Sequence, residues 1–338
     1  MAMLQNFFNV SNIKLNANVT FMIFSFQQEK HAYNKQETRI TFIWPNYNRL
    51  TIEYSEYFLL LLRPIINSAF GLMEKKKILY VSQEIMPYLP ESEISEVGRY
   101  LPQGVQERGR EIRTFMPRYG CVNERRNQLH EVIRLSGMNL IINDTDHPLI
   151  IKVASIQTAR MQVYFIDNED YFQNKHIFTD IQGEELDDND ERAIFFARGV
   201  LETVIKLRWS PDIIHCNGWL TSLVPLYIKK YYYNDPLFRN SKVVYSVCND
   251  DLKKTLNPDF KRKIIIGGIT PEDIALIENP TFENVSLMAV EYSDAIIQGS
   301  KKINENVKKY IQDRKKMFLR FQPKNTYIDA YNEFYDKI

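Results

Sequence analysis

From Lys75 onward, short apolar runs alternate with stretches whose apolar residues recur at helical spacing. Strands buried on both faces read as continuous apolar runs, and helices between such strands are typical of a parallel sheet. The predicted strands are 78–82, 112–116, 149–156, 161–166, 212–216, 243–247 and 295–298. The predicted helices are 94–108, 188–207, 220–232, 285–292, 301–311 and 326–336, the last packing back on the domain. The sequence therefore predicts an α/β fold, a doubly wound parallel sheet with one hairpin at 149–166.

Loops at the carboxyl ends of the strands are where an open α/β sheet binds its ligands. The chain has neither a P-loop nor an H-E-x-x-H motif, and no glycine-rich dinucleotide pattern follows its first strand. The predicted ligand loops follow Ser82, Cys216, Val247 and Gly299. Away from them, His130, His147 and His176 fall in polar loops, and we predict that they are surface histidines.

Composition excludes several classes of function. Lys+Arg is 43 and Asp+Glu is 42, so the net charge of +1 lacks the basic surplus expected of a nucleic-acid-binding protein. No apolar run approaches the roughly 20 residues of a membrane span, so no membrane segment is predicted. The cysteines, at positions 121, 216 and 248, are too widely spaced for a zinc site and fit free thiols. We predict a cytoplasmic protein without a metal.

The first 72 residues differ in composition from the rest of the chain. They carry 6 Lys+Arg and 4 Asp+Glu, against 37 and 38 in the following 266 residues, and no helix or strand period persists in them. Met73 then opens a charged segment that runs directly into the first buried strand. We therefore predict an N-terminal extension, 1–72, that is disordered or not part of the native chain, and one domain over 73–338. A genuine but poorly ordered extension is the alternative.

The loop after the first predicted strand is unusual for a phosphate site. A phosphate cradle needs glycines and often a lysine, whereas residues 83–93 contain neither and instead supply Glu84, Glu91 and Glu93. Carboxylates at a helix N-terminus are also explained by simple capping.

Seven segments resemble the motifs of one family, in the same order. They are V-S-Q-E-I-M-P-Y (81–88), L-P (101–102), E-R-G-R-E-I-R (107–113), M-P-R-Y (116–119), D-N-x-x-R (188–192), P-D-I-I-H-C-N-G-W-L-T-S-L-V-P (211–225) and S-D-A-I-I (293–297). Bacterial glycogen and starch synthases carry V-A-S-E-V-A-P-F, L-P, E-R-G-H-E-V-R, L-P-R-Y, D-N-x-x-R-F, P-D-V-V-H-A-H-D-W-Q-T-A-L-V-P and A-D-x-V-T. The resemblance implies one Rossmann-like lobe of a two-lobed (GT-B type) glycosyltransferase.

That family transfers glucose from ADP-glucose to an α-1,4-glucan without a metal or another cofactor. The resemblance implies ADP-glucose or an α-glucan as the ligand, and it places candidate substrate-binding residues at matching positions. The candidates on the acceptor side are Asp188, Asn189 and Arg192. Those on the donor side are His215, Trp219 and Asn249. Glu84 and Asn217 complete the set.

This chain departs from the family where the donor phosphates bind. The family's K-T-G-G aligns with Pro90, Glu91, Ser92 and Glu93, so a cation and two glycines are replaced by a degenerate phosphate loop. In H-x-H-D-W the second His is Asn217 and the Asp is Gly218, and the His of T-I-H-N is Cys248. No catalytic residue is therefore predicted.

Two hypotheses about function follow. In the first, the chain is a synthase-type glycosyltransferase domain that is inactive alone, because the 266 residues from Met73 suffice for one lobe and a protein partner must supply the other. In the second, it is a non-catalytic module derived from the family that binds a glucan, a nucleotide sugar or a protein.

Overall fold

A computed structural model describes residues 75–173, 176–250 and 253–338 and, before them, three strands only. The chain divides into two compact units, Met1–Glu74 and Lys75–Ile338. In the first unit, strands β1 (Ile23–Gln28), β2 (Glu37–Trp44) and β3 (Tyr47–Ser55) pair antiparallel in that order.

Most of the predicted extension, 1–72, lies outside the described residues. Its three strands differ from our expectation that no strand pattern persists there. They are rich in Ile, Thr, Phe and Tyr, residue types that favour strands even where strict alternation is lacking. A native start at Met73 stays a prediction.

The second unit is built on one ten-stranded sheet. Its strands are β4 (Lys77–Ser82), β5 (Glu111–Pro117), β6 (His130–Glu131), β7 (Met138–Ile142), β8 (Thr145–Ile156), β9 (Met161–Asp167), β10 (Ile213–Asn217), β11 (Lys242–Val247), β12 (Ala295–Gln298) and β13 (Met317–Leu319). The parallel part runs β9-β5-β4-β10-β11-β12-β13, and β8 joins β9 in the predicted antiparallel hairpin. Numbered along the chain, these seven strands run 3-2-1-4-5-6-7, which is the 3-2-1-4-5-6 order of a Rossmann-type sheet with β13 added at one edge.

Helices cover both faces of this sheet. They are α1 (Glu93–Glu107), α2 (Glu169–Phe172), α3 (Asn189–Leu207), α4 (Leu223–Lys230), α5 (Phe260–Ile264), α6 (Phe282–Tyr292), α7 (Glu305–Asp313) and α8 (Tyr327–Lys337). Alternate residues of β4 serve the two cores: Leu79 and Val81 join the larger one with α3, α4, α6 and α7, while Ile78 and Tyr80 join a smaller one with α1 and α8. The predicted doubly wound fold is confirmed.

The C-terminal helix α8 closes the smaller core, as predicted. Tyr327, Tyr331, Phe334 and Tyr335 are buried against the sheet and α1. At the end of α8, Asp336 accepts two hydrogen bonds of 2.7 Å from the guanidinium of Arg110. Both bonds come from the Nη2 nitrogen, and the Arg110 Nε donates to Asn332 Oδ1 at 3.2 Å, so Arg110 holds two successive turns of α8.

The predicted elements were found with shifted ends, and short ones were missed. The helix expected at 301–311 begins at Glu305, because the Asn304 side chain caps it by accepting from the backbone N–H groups of Asn306 and Val307. The helix expected at 220–232 is a 3₁₀ turn, Trp219–Thr221, followed by α4. The missed strands β6, β7 and β13 have two, five and three residues, too few for a period to stand out.

Candidate functional site

The order of the parallel strands reverses between β4 and β10, and ligands of such sheets bind beyond the carboxyl ends of the strands at this point. Ser82 and Asn217 are paired neighbours at the two strand ends. One residue further, the Gln83 N–H donates to the Asn217 carbonyl at 3.1 Å. The candidate site is therefore the carboxyl edge of β4, β10, β11 and β12.

Glu84 is tied to its own loop. Its Oε2 accepts from the Ser92 hydroxyl at 2.7 Å, and its Oε1 accepts from the Gln83 side-chain amide at 3.2 Å. The backbone carbonyl of Glu84 accepts from the Ser82 hydroxyl at 2.8 Å. Both carboxylate oxygens thus already have protein donors.

The degenerate phosphate loop forms the N-terminus of α1. Ser92 is the N-cap, and it exchanges hydrogen bonds with Ser95 in a capping box. The backbone carbonyl of the exposed Pro90 accepts a hydrogen bond from the Ser95 hydroxyl. In the first turn, Glu93 Oε2 accepts from the Ser300 hydroxyl at 2.7 Å. That hydroxyl in turn accepts from the Asn249 N–H at 3.0 Å. A carboxylate, linked to the ends of β11 and β12, therefore stands where a bound anion would need a positive group.

Asn217 is buried, and both the nitrogen and the oxygen of its side-chain amide have partners inside the protein. Its Nδ2 donates to the Ser82 hydroxyl at 3.2 Å and to the Ile94 carbonyl at 3.3 Å, and its Oδ1 lies 3.6 Å from the Cys248 thiol. Since both ends of the amide are used inside the protein, Asn217 ties β10 to β4, α1 and β11.

Gly218 adopts a conformation that only glycine tolerates well, with φ +92°. A Cβ atom at this position would lie 2.3 Å from Cδ of the buried Gln83 side chain. Gln83 Oε1 accepts from the Leu220 N–H at 3.3 Å, and the N–H of the buried Trp219 donates to Asp250 Oδ2 at 2.8 Å. The turn after β10 is thus filled by groups from neighbouring loops.

His215 lies below this edge, in the core under α8. Its Nδ1 is 2.6 Å from the Tyr335 hydroxyl and its Nε2 is 2.7 Å from the Ser246 hydroxyl. Burial lowers the pKa of His215 to about 3, so the imidazole is neutral at physiological pH. The structure gives His215 a packing role.

On the acceptor side, Arg192 is wholly buried among aromatic rings. Its Nε donates to the Tyr171 carbonyl and its Nη1 to Asn189 Oδ1, both at 2.8 Å. Asn189 donates to the Phe178 carbonyl at 3.0 Å, and the Phe178 ring lies 5.0 Å from the Trp219 ring. Residues 188–192 therefore brace the wall beside the donor-side turn.

Asp188, at the start of α3, is half-buried. Burial raises the pKa of its carboxyl, and the nearby Arg192 guanidinium partly opposes the shift. Of the three candidates on the acceptor side, Asp188 is the most exposed.

Among the residues the structure describes, no group of three or more His, Cys, Asp and Glu side chains is arranged to hold a metal. No described helix is long and apolar enough to cross a membrane.

Residues 77–318 match the family described as "Starch synthase catalytic domain". The chain belongs to this family. It is 36% identical over 228 residues to a glycogen synthase of Chlorobium luteolum, covering 67% of this chain and 46% of that protein. It is 40% identical over 174 residues to a glycogen synthase of Chlorobium chlorochromatii, covering 51% of this chain and 36% of that protein. The chain spans about half the length of the former relative.

A solved structure shows the same fold. It is the "Catalytic domain of Starch Synthase IV from Arabidopsis thaliana bound to ADP and acarbose", with a TM-score of 0.61 and 14% identity, and the match covers 73% of this chain and 51% of that one. The likeness confirms the predicted α/β fold, which is that of a starch synthase catalytic domain.

The structure brings one set of predicted residues together and adds others. Glu84, Ser92, Glu93, Asn217, Trp219 and Asn249 share the carboxyl edge of this starch synthase-type domain. His215 lies in the smaller core. Sequence reasoning missed Gln83, Ser300 and Asp250, because hydrophilic loop residues carry no signal of the loop they will meet. The alignment of Gly218 with an aspartate in the family was the one available hint.

A second polar cluster lies at the start of α3. Lys263 Nζ is 2.7 Å from both Asp190 Oδ2 and Glu191 Oε1, and the Tyr171 hydroxyl links Glu191 to His147 Nε2 at 2.8 and 2.9 Å. The prediction of a surface histidine at 147 is wrong: His147 is buried, with its ring against that of Tyr171 and its Nδ1 3.1 Å from Asp170 Oδ2. His130 and His176 are exposed, as predicted.

Proposed function

We propose that this chain is the first lobe of a glycogen/starch synthase-type glycosyltransferase and that residues 1–338 do not transfer glucose by themselves. The family's reaction moves glucose from ADP-glucose to an α-1,4-glucan. A protein partner would supply the second lobe. Family membership and the match to about half of a glycogen synthase support this assignment. Free cysteines at 121, 216 and 248 suit a reducing compartment, for which we propose the cytoplasm.

The observation that carries the proposal is the position of the Glu93 carboxylate. It sits in the first turn of α1 and is held over the end of β12 by Ser300. A diphosphate 4 Å from this carboxylate would be repelled by about 1 to 4 kcal/mol per charge pair, depending on the effective dielectric. Stabilising charge on the leaving group is usually the largest catalytic contribution, and here the local charge has the wrong sign.

The acceptor side differs in character. Residues 188–192 keep the family's D-N-x-x-R pattern, and Arg192 and Asn189 hold one another in place. A neutral glucan meets no charge penalty at such a wall. We therefore propose that an α-glucan is the ligand this lobe binds by itself.

The test is incorporation of labelled glucose from ADP-glucose into glycogen by the purified full chain, beside the Chlorobium luteolum glycogen synthase as a positive control. We expect no incorporation by this chain alone. A second mixture contains the chain and a separately produced second lobe of that synthase, and here we expect incorporation. Turnover by the chain alone would contradict the proposal.

The second candidate is a non-catalytic binding module, and the internal use of Asn217 favours it. Both ends of this amide, which replaces a family histidine, are bonded inside the protein rather than offered to a ligand. Calorimetry with maltoheptaose and with ADP-glucose discriminates the two. Binding of maltoheptaose without incorporation in either mixture supports the module.

A further inference from the structure

The turn after β10 offers two backbone N–H groups at the strand-order reversal, and the protein itself occupies both. The Trp219 N–H donates to Asp250 Oδ2 at 2.8 Å. The Leu220 N–H donates to Gln83 Oε1 at 3.3 Å. The two acceptors come from loops after different strands, β11 and β4. Their convergence on consecutive N–H groups is therefore a tertiary feature.

Consecutive N–H groups at the beginning of a helical segment attract anions, because they carry partial positive charge. The 3₁₀ turn Trp219–Thr221 leads directly into α4, so its N–H groups belong to such a segment. In this chain the anion at that place is the Asp250 carboxylate. A phosphate group could reach the Trp219 N–H only by displacing it.

Gln83 is held firmly in its place. Its side chain is buried and packs into the space left by the missing Cβ of Gly218. Its Nε2 donates to Glu84 Oε1, and its backbone N–H donates to the Asn217 carbonyl. Displacing the amide from the Leu220 N–H would break these contacts together.

We propose that Asp250 and Gln83 are specificity-determining residues that keep phosphate groups off this turn, so that the lobe selects a neutral saccharide over a nucleotide sugar. This deepens the proposed function and rests on it for the identity of the ligand. The exclusion has two parts, since Asp250 contributes negative charge and Gln83 contributes bulk. Glu93 adds a second carboxylate at the same edge, linked through the Ser300 hydroxyl to the N–H of Asn249, the residue before Asp250.

The test uses the full chain and three variants. Asp250→Ala removes the carboxylate, and Asp250→Asn keeps an acceptor of the same shape without the charge. The matched control is Asp212→Ala, because Asp212 Oδ2 also accepts a backbone N–H at 2.7 Å, from Lys77, but at the amino end of the same sheet. Each protein is titrated by calorimetry with inorganic pyrophosphate, with ADP-glucose and with maltoheptaose, and its folding is verified by thermal unfolding.

We expect Asp250→Ala to bind pyrophosphate and ADP-glucose about tenfold or more tightly than the unchanged chain, with Asp250→Asn in between. Asp212→Ala should match the unchanged chain. Equal affinities for pyrophosphate in folded Asp250→Asn and the unchanged chain, together with no gain in Asp250→Ala, would overturn the inference.

Maltoheptaose separates this inference from the proposed function. If maltoheptaose binds all four proteins alike, the proposal of a glucan ligand stands, whatever the affinities for pyrophosphate are. If it binds none of them while Asp250→Ala gains pyrophosphate, the exclusion of phosphate stands and the glucan-binding proposal fails.

Discussion

The imidazole of His215 and the phenol of Tyr335 are joined by a 2.6 Å hydrogen bond across 120 residues of chain. The bond connects the middle of the sheet to the C-terminal helix α8 inside the smaller core. Because Nε2 of the same ring bonds Ser246, the histidine is satisfied on both sides. A residue that resembles a ligand-binding histidine in the sequence thus anchors a helix.

Replacing Tyr335 by Phe should destabilise the domain. The change leaves His215 Nδ1 buried without its partner, and an unpaired buried polar atom costs about 1 to 3 kcal/mol. Urea unfolding measures the loss. The control is Tyr331→Phe, on the same helix and in the same core, because the structure gives the Tyr331 hydroxyl no hydrogen bond among the described residues. Equal losses in the two variants would contradict a specific role for the Tyr335 hydroxyl.

Stability should fall as the pH is lowered below about 6.5, because His215 must remain neutral in the fold. Burial lowers its pKa from 6.5 to about 3, so only the unfolded chain binds the proton between these values. The expected contribution is a loss of about 2 kcal/mol between pH 7.5 and pH 5. Urea unfolding at both pH values measures it, and His215→Gln should show a shallower pH dependence by about that amount. Parallel pH profiles for the two proteins would refute the assignment.

Alanine in place of Gly104 should destabilise the domain, although alanine is the better helix former by about 1 kcal/mol. A Cβ at this position would lie 2.6 Å from Cγ2 of Ile328, where α8 crosses α1. Forcing the helices apart should cost about 1 to 3 kcal/mol of stability, which outweighs the gain in helix propensity. Thermal unfolding of Gly104→Ala, Ile328→Ala and the double variant tests this. The double variant should recover part of the loss, and purely additive losses would count against the crossing contact.

Replacing Lys263 by Met should destabilise the domain more than breaking an exposed ion pair does. Its ammonium lies between the carboxylates of Asp190 and Glu191, and the hydrogen bonds to them raise the pKa of Lys263. Removing one partner of a buried pair costs about 3 to 5 kcal/mol, whereas an exposed pair contributes about 0 to 1. Lys254→Met, which breaks the exposed pair with Glu184, is the control. Chemical denaturation of both variants gives the comparison, and similar losses would show that the Lys263 cluster is not effectively buried.

The sequence was most informative for elements whose own residues carry a clear pattern. The buried strand at 78–82 and the helix that follows could be predicted because each carries its own period within a few residues. Short elements such as β13 carry too little of any period, and the ends of helices depend on single caps such as Asn304.

What the side chains of the candidate site would meet could not be predicted. His215 lies between Ile214 and Cys216, which face the larger core, so alternation directs the imidazole to the other face. Whether that face meets a ligand or a helix depends on where α8 packs, and α8 lies more than 100 residues further along the chain.

The sequence by itself determined the strand and helix alternation and the family through motifs in order, and it predicted the carboxyl edge as the place of the site. These follow from local periodicity and local motifs. Only the tertiary structure decided that Glu93 bonds Ser300 from 207 residues away, that Asp250 and Gln83 occupy the turn after β10, and that Lys263 joins Asp190. Such pairs form because loops from distant strands converge at one edge of the sheet, and the residues of a loop carry no pattern that names their partner.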